Sequence, residues 1–221
     1  MVETKIILDQ QEIVYKIHYK RIKNCYLRVE KGEVVIRCSP LFSQSEIEKL
    51  IRNHQEEILE QIKGYVPKYN YQEDGYVYLF NQKYQIVLKD MNIKKCAIHD
   101  RQIYVYSKNI QATIEMFLKQ ELMNYLKERI DFYLSTSFHH VFPEIQIKKM
   151  KRRWGACFYQ KNRVCFNLVL AHIDYALIDY VIVHELCHFL EANHSKAFYH
   201  EIEKRMPDYK ERERLLKDVG I

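Results

Sequence analysis

The chain has 221 residues, of which 48% are hydrophobic and 29% are charged, and this composition excludes a disordered or collagen-like protein. The formal net charge is +6, from 35 basic and 29 acidic residues, an excess too small to identify nucleic acid as the partner. The longest apolar runs are shorter than the ~18 residues of a membrane-spanning helix, and the N-terminus lacks a secretory pattern, so we expect a cytoplasmic protein without a membrane partner.

The N-terminal half of the chain is predicted to be rich in β-strands. Alternating apolar residues within 13–19 and 25–36 predict an antiparallel meander. Ser43 and Glu46 match a capping box, and the apolar face behind them predicts one amphipathic helix of about five turns that ends at Gly64. Strand-like runs then return at 76–80, 84–88 and 103–106.

The C-terminal half is predicted to be mainly helical. From Asn109 the hydrophobic period changes to three and four residues, which predicts a long helix and places a domain boundary between 1–108 and 109–221. Later, an apolar helix begins at Tyr175, and Ser195 is the expected N-cap of the helix that follows it. Three strand-like segments lie between these helices and predict a small antiparallel sheet: 145–149, 153–159 and 163–168. The whole pattern predicts an α+β fold.

The segment 184–188 reads His-Glu-Leu-Cys-His and carries the strongest chemical signal. Histidines four residues apart on a helix lie one turn apart on the same face, so His184 and His188 can bind one metal ion. Glu185 is rotated about 100° from His184, and we expect its carboxylate to reach a water on that metal as a general base. His194 follows a predicted helix end and supplies a third ligand.

Three neutral histidines predict one Zn²⁺ ion with an open coordination position. Such an ion keeps its full charge and lowers the pKa of a bound water towards ~7. Glu185 would take the proton of this water during attack on a carbonyl and return it to the leaving amine. The predicted reaction is therefore metal-assisted hydrolysis of an amide.

Other interpretations of these residues stay open. His184 and His188 can be interior histidines satisfied by hydrogen bonds, with Glu185 a solvated helix residue, although the apolar run before them argues against this interpretation. Three carboxylates are further ligand candidates for which capping or a surface position is favoured: Glu191, Glu211 and Glu213. Several other histidines and tyrosines are weaker candidates for the site: His139, His140, His172, Tyr180, Tyr199 and His200.

Five segments carry a resemblance to a known family: Arg153-Trp154-Gly155-Ala156-Cys157, Asn167-Leu168, Ile178 to His188, Asn193-His194-Ser195 and Met206-Pro207-Asp208-Tyr209-Lys210. In these segments the chain resembles the YgjP-like metal-dependent hydrolases, zinc metallopeptidases related more distantly to SprT-like and WLM proteases. The resemblance implies a zincin-like catalytic domain after the β-rich region, with zinc on His184, His188 and His194 and with Glu185 as the catalytic base. Ala156 departs from the family's usual serine.

The segment from Trp154 to Tyr159 is a candidate rail for a peptide substrate, because an edge strand beside the metal helix can pair with an extended chain. An ordinary core strand explains the same residues. A basic cluster precedes this segment: Lys148, Lys149, Lys151, Arg152 and Arg153. Phosphate contacts can explain this cluster, but a solvated sheet edge is favoured, so we expect a peptide or protein partner rather than nucleic acid.

Two rival classes of function stay open beside the peptidase. One is a nucleic-acid-associated protease or binding module of the SprT-like type, and the other is a non-catalytic scaffold stabilised by metal. The six scattered cysteines contain no C-x-x-C pair and predict reduced thiols rather than a disulfide scaffold.

Overall fold

A computed structural model of the chain describes residues 1–30, 32–64 and 67–219. By their contacts the residues form two compact units, Met1–Pro67 and Lys68–Ile221. The boundary predicted near residue 108 lies inside the second unit, because strands before that point share one hydrophobic core with the helix after it. Within the described residues, no helix has both the length and the apolar character needed to cross a membrane.

The first unit contains a four-stranded sheet in the order β1-β2-β4-β3. Its strands are β1 (Val2–Leu8), β2 (Gln11–Tyr19), β3 (Tyr26–Glu30) and β4 (Glu33–Cys38). The predicted antiparallel meander is wrong at one pair, because β2 and β4 run parallel. The period of two identifies the buried face of each strand but contains no information about which strand becomes its neighbour.

Two helices pack on this sheet, α1 (Gln44–Asn53) and α2 (Gln55–Gly64). The predicted capping box is confirmed: the hydroxyl of Ser43 accepts from the Glu46 N–H at 3.3 Å, and the Glu46 carboxylate accepts from the Ser43 N–H at 2.8 Å. The prediction of a single five-turn helix is wrong, because the backbone of His54 leaves helical geometry at φ −117° and ψ 21°. The apolar face continues across this break, which is why the sequence pattern did not reveal it.

The second unit begins with a five-stranded sheet in the order β5-β6-β7-β9-β8. Its strands are β5 (Tyr69–Asn70), β6 (Tyr76–Leu79), β7 (Gln82–Leu88), β8 (Lys95–His99) and β9 (Gln102–Tyr106). The three predicted strands are confirmed as β6, β7 and β9. The sequence missed β8, an edge strand whose residues are mostly exposed and therefore show no apolar alternation.

The predicted long helix is confirmed as α3 (Ile110–Tyr133), which continues into a π-helical turn over Leu134–Phe138. The side chain of Asn109 caps it by accepting from the Ala112 N–H at 3.1 Å. One face of α3 is fully buried and joins the five-stranded sheet to the C-terminal helices in a common core.

A three-stranded sheet follows in the order β10-β12-β11, built from β10 (Glu144–Lys148), β11 (Gly155–Phe158) and β12 (Arg163–Asn167). The hairpin of β11 and β12 is antiparallel, as predicted, but β10 pairs with β12 in parallel. The sheet is therefore mixed, and β11 lies at its edge.

Three helices complete the chain: α4 (Tyr175–Cys187), α5 (Lys196–Arg205) and α6 (Tyr209–Val219). Asp174 caps α4 by accepting from the Ala176 N–H at 2.8 Å. The predicted cap of α5 is confirmed, because the hydroxyl of Ser195 accepts from the Phe198 N–H at 3.3 Å. With its small sheets and these helices, the protein has an α+β fold.

Candidate metal centre and catalytic cavity

Helix α4 is buried along nearly its whole length and carries the first two histidines at its C-terminal end. It ends at His188, after which the N–H groups of Leu190 and Glu191 both donate to the carbonyl of Cys187 at 2.9 Å. This turn reverses the chain, and Ser195 then starts α5. The connection between the two helices carries His194 back towards the first two histidines.

The structure brings the three predicted histidines together. One ring nitrogen from each of His184, His188 and His194 lies within 4.8 Å of the other two. The closest pair is His184 Nε2 and His194 Nε2, which are 3.0 Å apart. His184 and His188 are half-buried, whereas His194 is exposed. Among the described residues, this is the one group of three or more histidine, cysteine, aspartate or glutamate side chains close enough to share an ion.

The protonation of these rings suits metal binding. His188 Nδ1 lies 3.2 Å from the carbonyl of Glu191, so its N–H donates there and its Nε2 is left with a free lone pair. Burial lowers the pKa of His184 to about 3 and lowers the pKa of His188 as well. Both imidazoles are therefore neutral at physiological pH. Buried His184 Nδ1 has no hydrogen-bond partner among the described residues.

A metal ion fits between these nitrogens. Two facing Nε2 lone pairs 3.0 Å apart repel each other unless a proton or a cation lies between them. Two nitrogens bound at 2.0–2.1 Å to a tetrahedral zinc are about 3.3 Å apart, close to the separation found for His184 and His194. A donor set made only of imidazoles suits zinc, copper, nickel or iron better than calcium or magnesium.

Phe198 forms an aromatic wall behind all three histidines. Its ring centroid lies 5.0 Å from that of His184, 4.6 Å from that of His188 and 4.8 Å from that of His194, and the side chain is fully buried. Phe198 was not among the site residues predicted from the sequence. Its position four residues after His194, on a helix with a recognisable cap, is the signal that could have identified it.

Helix α5, which carries Phe198, is attached to the end of α3. The guanidinium of Arg205 donates to the carbonyl of Ser137 at 2.9 and 3.1 Å and contacts the Glu201 carboxylate at 2.6 Å. The same guanidinium lies 4.2 Å from the centroid of the Phe138 ring. These contacts fix α5, and with it the wall behind the histidines.

A buried ionic network attaches α4 to α3 five residues before the first histidine. The Asp179 carboxylate accepts from the Arg129 guanidinium at 2.7 and 3.1 Å, and from the hydroxyls of Tyr125 at 2.8 Å and Tyr133 at 3.1 Å. Asp179 is only 9% exposed. The sequence does not reveal this network, because Asp179 lies about fifty residues from its partners and no local pattern links them.

Glu185 lies on the side of α4 that faces β11 and is only 6% exposed. Its side chain packs directly on the backbone of Gly155. Burial raises the pKa of Glu185 to about 8, while the charge of Arg153 and the backbone N–H of Cys157 act in the opposite direction. The carboxylate is therefore well suited to accept a proton near neutral pH.

Glu185 and the three histidines line one open cavity of about 500 Å³. Its walls come from α4, β11 and α6, with aromatic surface from Trp154, Tyr159 and Tyr180. The edge strand β11, which lies within the candidate substrate-binding segment from Trp154 to Tyr159, forms one side of this cavity. The arrangement can hold a cation, a water and an extended ligand at the same place.

The weaker candidates occupy other positions. Glu213 lines the cavity but does not join the histidine group. The Tyr180 ring meets that of His184 edge to face with centroids 5.9 Å apart, and the Tyr199 ring is tilted against that of His194 at 6.3 Å. His172 is buried, with Nδ1 2.7 Å from the carbonyl of Tyr78, and it is not part of the histidine group. Within the basic cluster, Lys149 pairs with Glu115 at 2.6 Å.

Comparison with known proteins gives one family match. The family model described as "YgjP-like, metallopeptidase domain" matches residues 23–219 of this chain. No curated protein matches the chain.

Two solved structures are similar to part of the chain. One is the metallopeptidase zymogen of Pyrococcus abyssi abylysin, at 17% identity, with 42% of this chain and 94% of that chain covered and a TM-score of 0.39. The other is the metallopeptidase zymogen of Methanocaldococcus jannaschii jannalysin, at 24% identity, with 42% and 96% covered and a TM-score of 0.38.

Proposed function

The chain belongs to the YgjP-like metallopeptidase family, and from this premise we propose that it is a peptidase that binds one Zn²⁺ ion through His184, His188 and His194. Membership of the family makes the protein a metal-dependent peptidase, and the choice of ion and residues is our proposal. One observation carries this proposal. Three imidazole nitrogens lie within 4.8 Å of one another, and the buried side chain of Glu185 lines the same cavity.

The proposed mechanism assigns one task to each of these side chains. A zinc ion bound here supplies a Lewis acid that makes water more acidic and stabilises negative charge on a carbonyl oxygen. Glu185 accepts the proton of the attacking water on its carboxylate and then donates it to the leaving amine. His188 keeps its Nε2 unprotonated by donating Nδ1–H to the carbonyl of Glu191.

The position of Glu185 supports its role as general base. The carboxylate and the three imidazoles line one cavity. One residue along a helix from His184, Glu185 is rotated by about 100°, so its carboxylate is directed away from an ion held by the imidazoles. A carboxylate with a pKa near the working pH both accepts and returns a proton efficiently. No other carboxylate among the described residues combines this burial with a place in the cavity.

Metal analysis tests the ligand set. Protein purified without chelator is expected to contain one Zn²⁺ per chain, and His194→Ala is expected to lose most of it. His200→Ala is the matched control, because His200 is exposed on the next helix and is not part of the histidine group. Equal zinc content in all three proteins would contradict the assignment.

Hydrolysis tests the catalytic role. Wild type is expected to cleave random peptide pools, and Glu185→Gln is expected to keep its zinc while losing most of the activity. If Glu185→Gln cleaves peptides at the wild-type rate, another group is the base. If wild type with full zinc cleaves no peptide, the non-catalytic scaffold becomes the better interpretation.

A further inference from the structure

The cavity contains two positively charged side chains, and only one of them has a partner. Lys217 Nζ lies 3.1 Å from Glu213 Oε1, so these two charges pair on α6. Arg153 lines the cavity just before β11. In the part of the chain that the structure describes, no carboxylate lies within 4.0 Å of the Arg153 guanidinium, and no protein group accepts a hydrogen bond from it. Arg153 is thus free to bind an anion.

The backbone that carries Arg153 is fixed by a buried side chain. Asn167 is 2% exposed, and its amide donates to the carbonyls of Met150 at 2.8 Å and Arg153 at 3.0 Å. Its side-chain oxygen accepts from the Met150 N–H at 3.1 Å, and its own N–H donates to the carbonyl of Trp154 at 2.8 Å. These four bonds hold residues 150–154 against the end of β12. The exposed guanidinium therefore extends from a rigid support.

Arg153 lies beside the candidate reaction centre. Its side chain and that of Glu185 line the same cavity, and Gly155, two residues after Arg153, is packed directly against the Glu185 carboxylate that we propose as the base. A ligand group bound by Arg153 would consequently lie near the scissile bond. The planar fork of N–H donors on a guanidinium matches the two oxygens of a carboxylate.

We propose that Arg153 binds a carboxylate of the substrate close to the scissile bond, so that this peptidase selects peptides that present a carboxylate there. The inference rests on the proposed function and specifies the substrate class of the same site. Two sources present this chemistry: the side chain of an aspartate or glutamate, and the free C-terminal carboxylate of a peptide. Lys217 does not compete for this role, because Glu213 neutralises it.

Peptide binding tests the proposal without requiring hydrolysis. Three pools of unlabelled, N-acetylated octapeptides, randomised among neutral residues, are titrated into zinc-loaded Glu185→Gln protein, and binding is measured by calorimetry. The first pool has a central glutamate and an amidated end, the second a central glutamine and a free carboxylate, and the third a central glutamine and an amidated end. At least one of the first two pools, which carry a carboxylate, is expected to bind about tenfold more tightly than the third pool, which carries none.

Substitution of the arginine identifies the residue responsible. Arg153→Gln in the same background is expected to abolish the tenfold preference, and Arg153→Lys is expected to retain part of it. Arg152→Gln is the matched control, because it removes the same charge from the neighbouring exposed residue outside the cavity. Zinc content and the circular dichroism spectrum verify that each variant is folded.

Each outcome has a defined meaning. The proposal is wrong if the three pools bind equally, if none of them binds, or if Arg152→Gln loses the preference as completely as Arg153→Gln. Tighter binding of the first pool assigns an acidic side chain as the ligand, and tighter binding of the second assigns the chain terminus. Binding is measured in a variant that lacks the proposed base, so the binding result does not depend on hydrolysis. If wild type fails to cleave peptides, the proposed function is wrong, and the preference of Arg153 for a carboxylate is still decided by the binding experiment.

Discussion

Gly155 and Glu185 are in such close contact that no other residue type fits at position 155 without moving the carboxylate. A Cβ atom on Gly155 would lie 2.5 Å from Oε1, 2.7 Å from Cγ and 2.8 Å from Cδ of Glu185. Contacts of this kind are far inside van der Waals distance, and the flexible end of the glutamate is the part that can yield. The edge strand therefore determines where the proposed base lies.

Gly155→Ala is expected to reduce the turnover number about 100-fold, because a displacement of ~1 Å in a reacting group can have an effect of this size. Zinc content should stay at the wild-type level, since the atoms nearest to the added methyl group belong to Glu185 and the three histidines are unchanged. Steady-state kinetics with zinc analysis of the same samples measures both quantities. Wild-type turnover in this variant would show that the position of Glu185 does not limit the reaction.

Phe198→Leu is expected to weaken zinc binding about tenfold, because the three imidazoles lose the aromatic wall that orients them. The loss of stability should be about 1 kcal/mol, since leucine fills much of the same space. Competition with a fluorescent zinc chelator measures the affinity. Phe132→Leu, at a largely exposed phenylalanine of α3, is the control and should bind zinc like wild type.

Asp179→Asn is expected to lower the free energy of unfolding by about 2 kcal/mol, because it weakens the charged hydrogen bonds between α3 and α4. Urea denaturation at pH 7 measures this change. Asp131→Asn removes a charge from an exposed position of α3 and should change stability by less than about 0.5 kcal/mol. Equal effects of the two substitutions would show that the network contributes nothing specific.

Glu201 provides a pH-dependent contribution to stability. Hydrogen bonds from Lys204 and Arg205 lower the pKa of its carboxyl from 4.5 to about 2. A carboxyl with a lowered pKa stabilises the folded state above pH 4.5, and this stabilisation is lost as the pH falls towards 2. Glu201→Gln should therefore be less stable than wild type at pH 7, by less than about 1 kcal/mol, and the difference should shrink below pH 4.

Thermal melts at several pH values test this expectation. Glu203→Gln, at an exposed position two residues away on α5, serves as the control. A difference between wild type and Glu201→Gln that stays constant from pH 7 to pH 2 would contradict the role assigned to this carboxylate.

Local sequence patterns predicted most of the elements. The Ser43 and Ser195 caps, the long helix α3 and the strands β6, β7 and β9 follow from periods and capping residues that operate over a few positions. The spacing of His184 and His188 likewise predicted that their rings would meet on one face of α4. That these rings and His194 bind zinc stays a prediction.

The features that the sequence did not reveal depend on contacts between distant residues. The parallel pairing of β2 with β4 depends on the path of the chain and not on its alternation. The contact of Gly155 with Glu185 joins two elements thirty residues apart, and a glycine in a strand leaves no apolar pattern to read. The wall formed by Phe198 depends on how α5 packs against α4, which helical periodicity alone does not specify.

The three histidines differ in their access to solvent, and this difference bears on how fast an ion can be exchanged. His184 and His188 are half-buried on a rigid helix, whereas His194 is exposed on the connection that precedes α5. Of the three rings, that of His194 is therefore the one that solvent reaches most directly. Replacement of His194 should accordingly accelerate release of the ion. Because the other two rings are half-buried on α4, we expect an ion to dissociate from them more slowly than from His194.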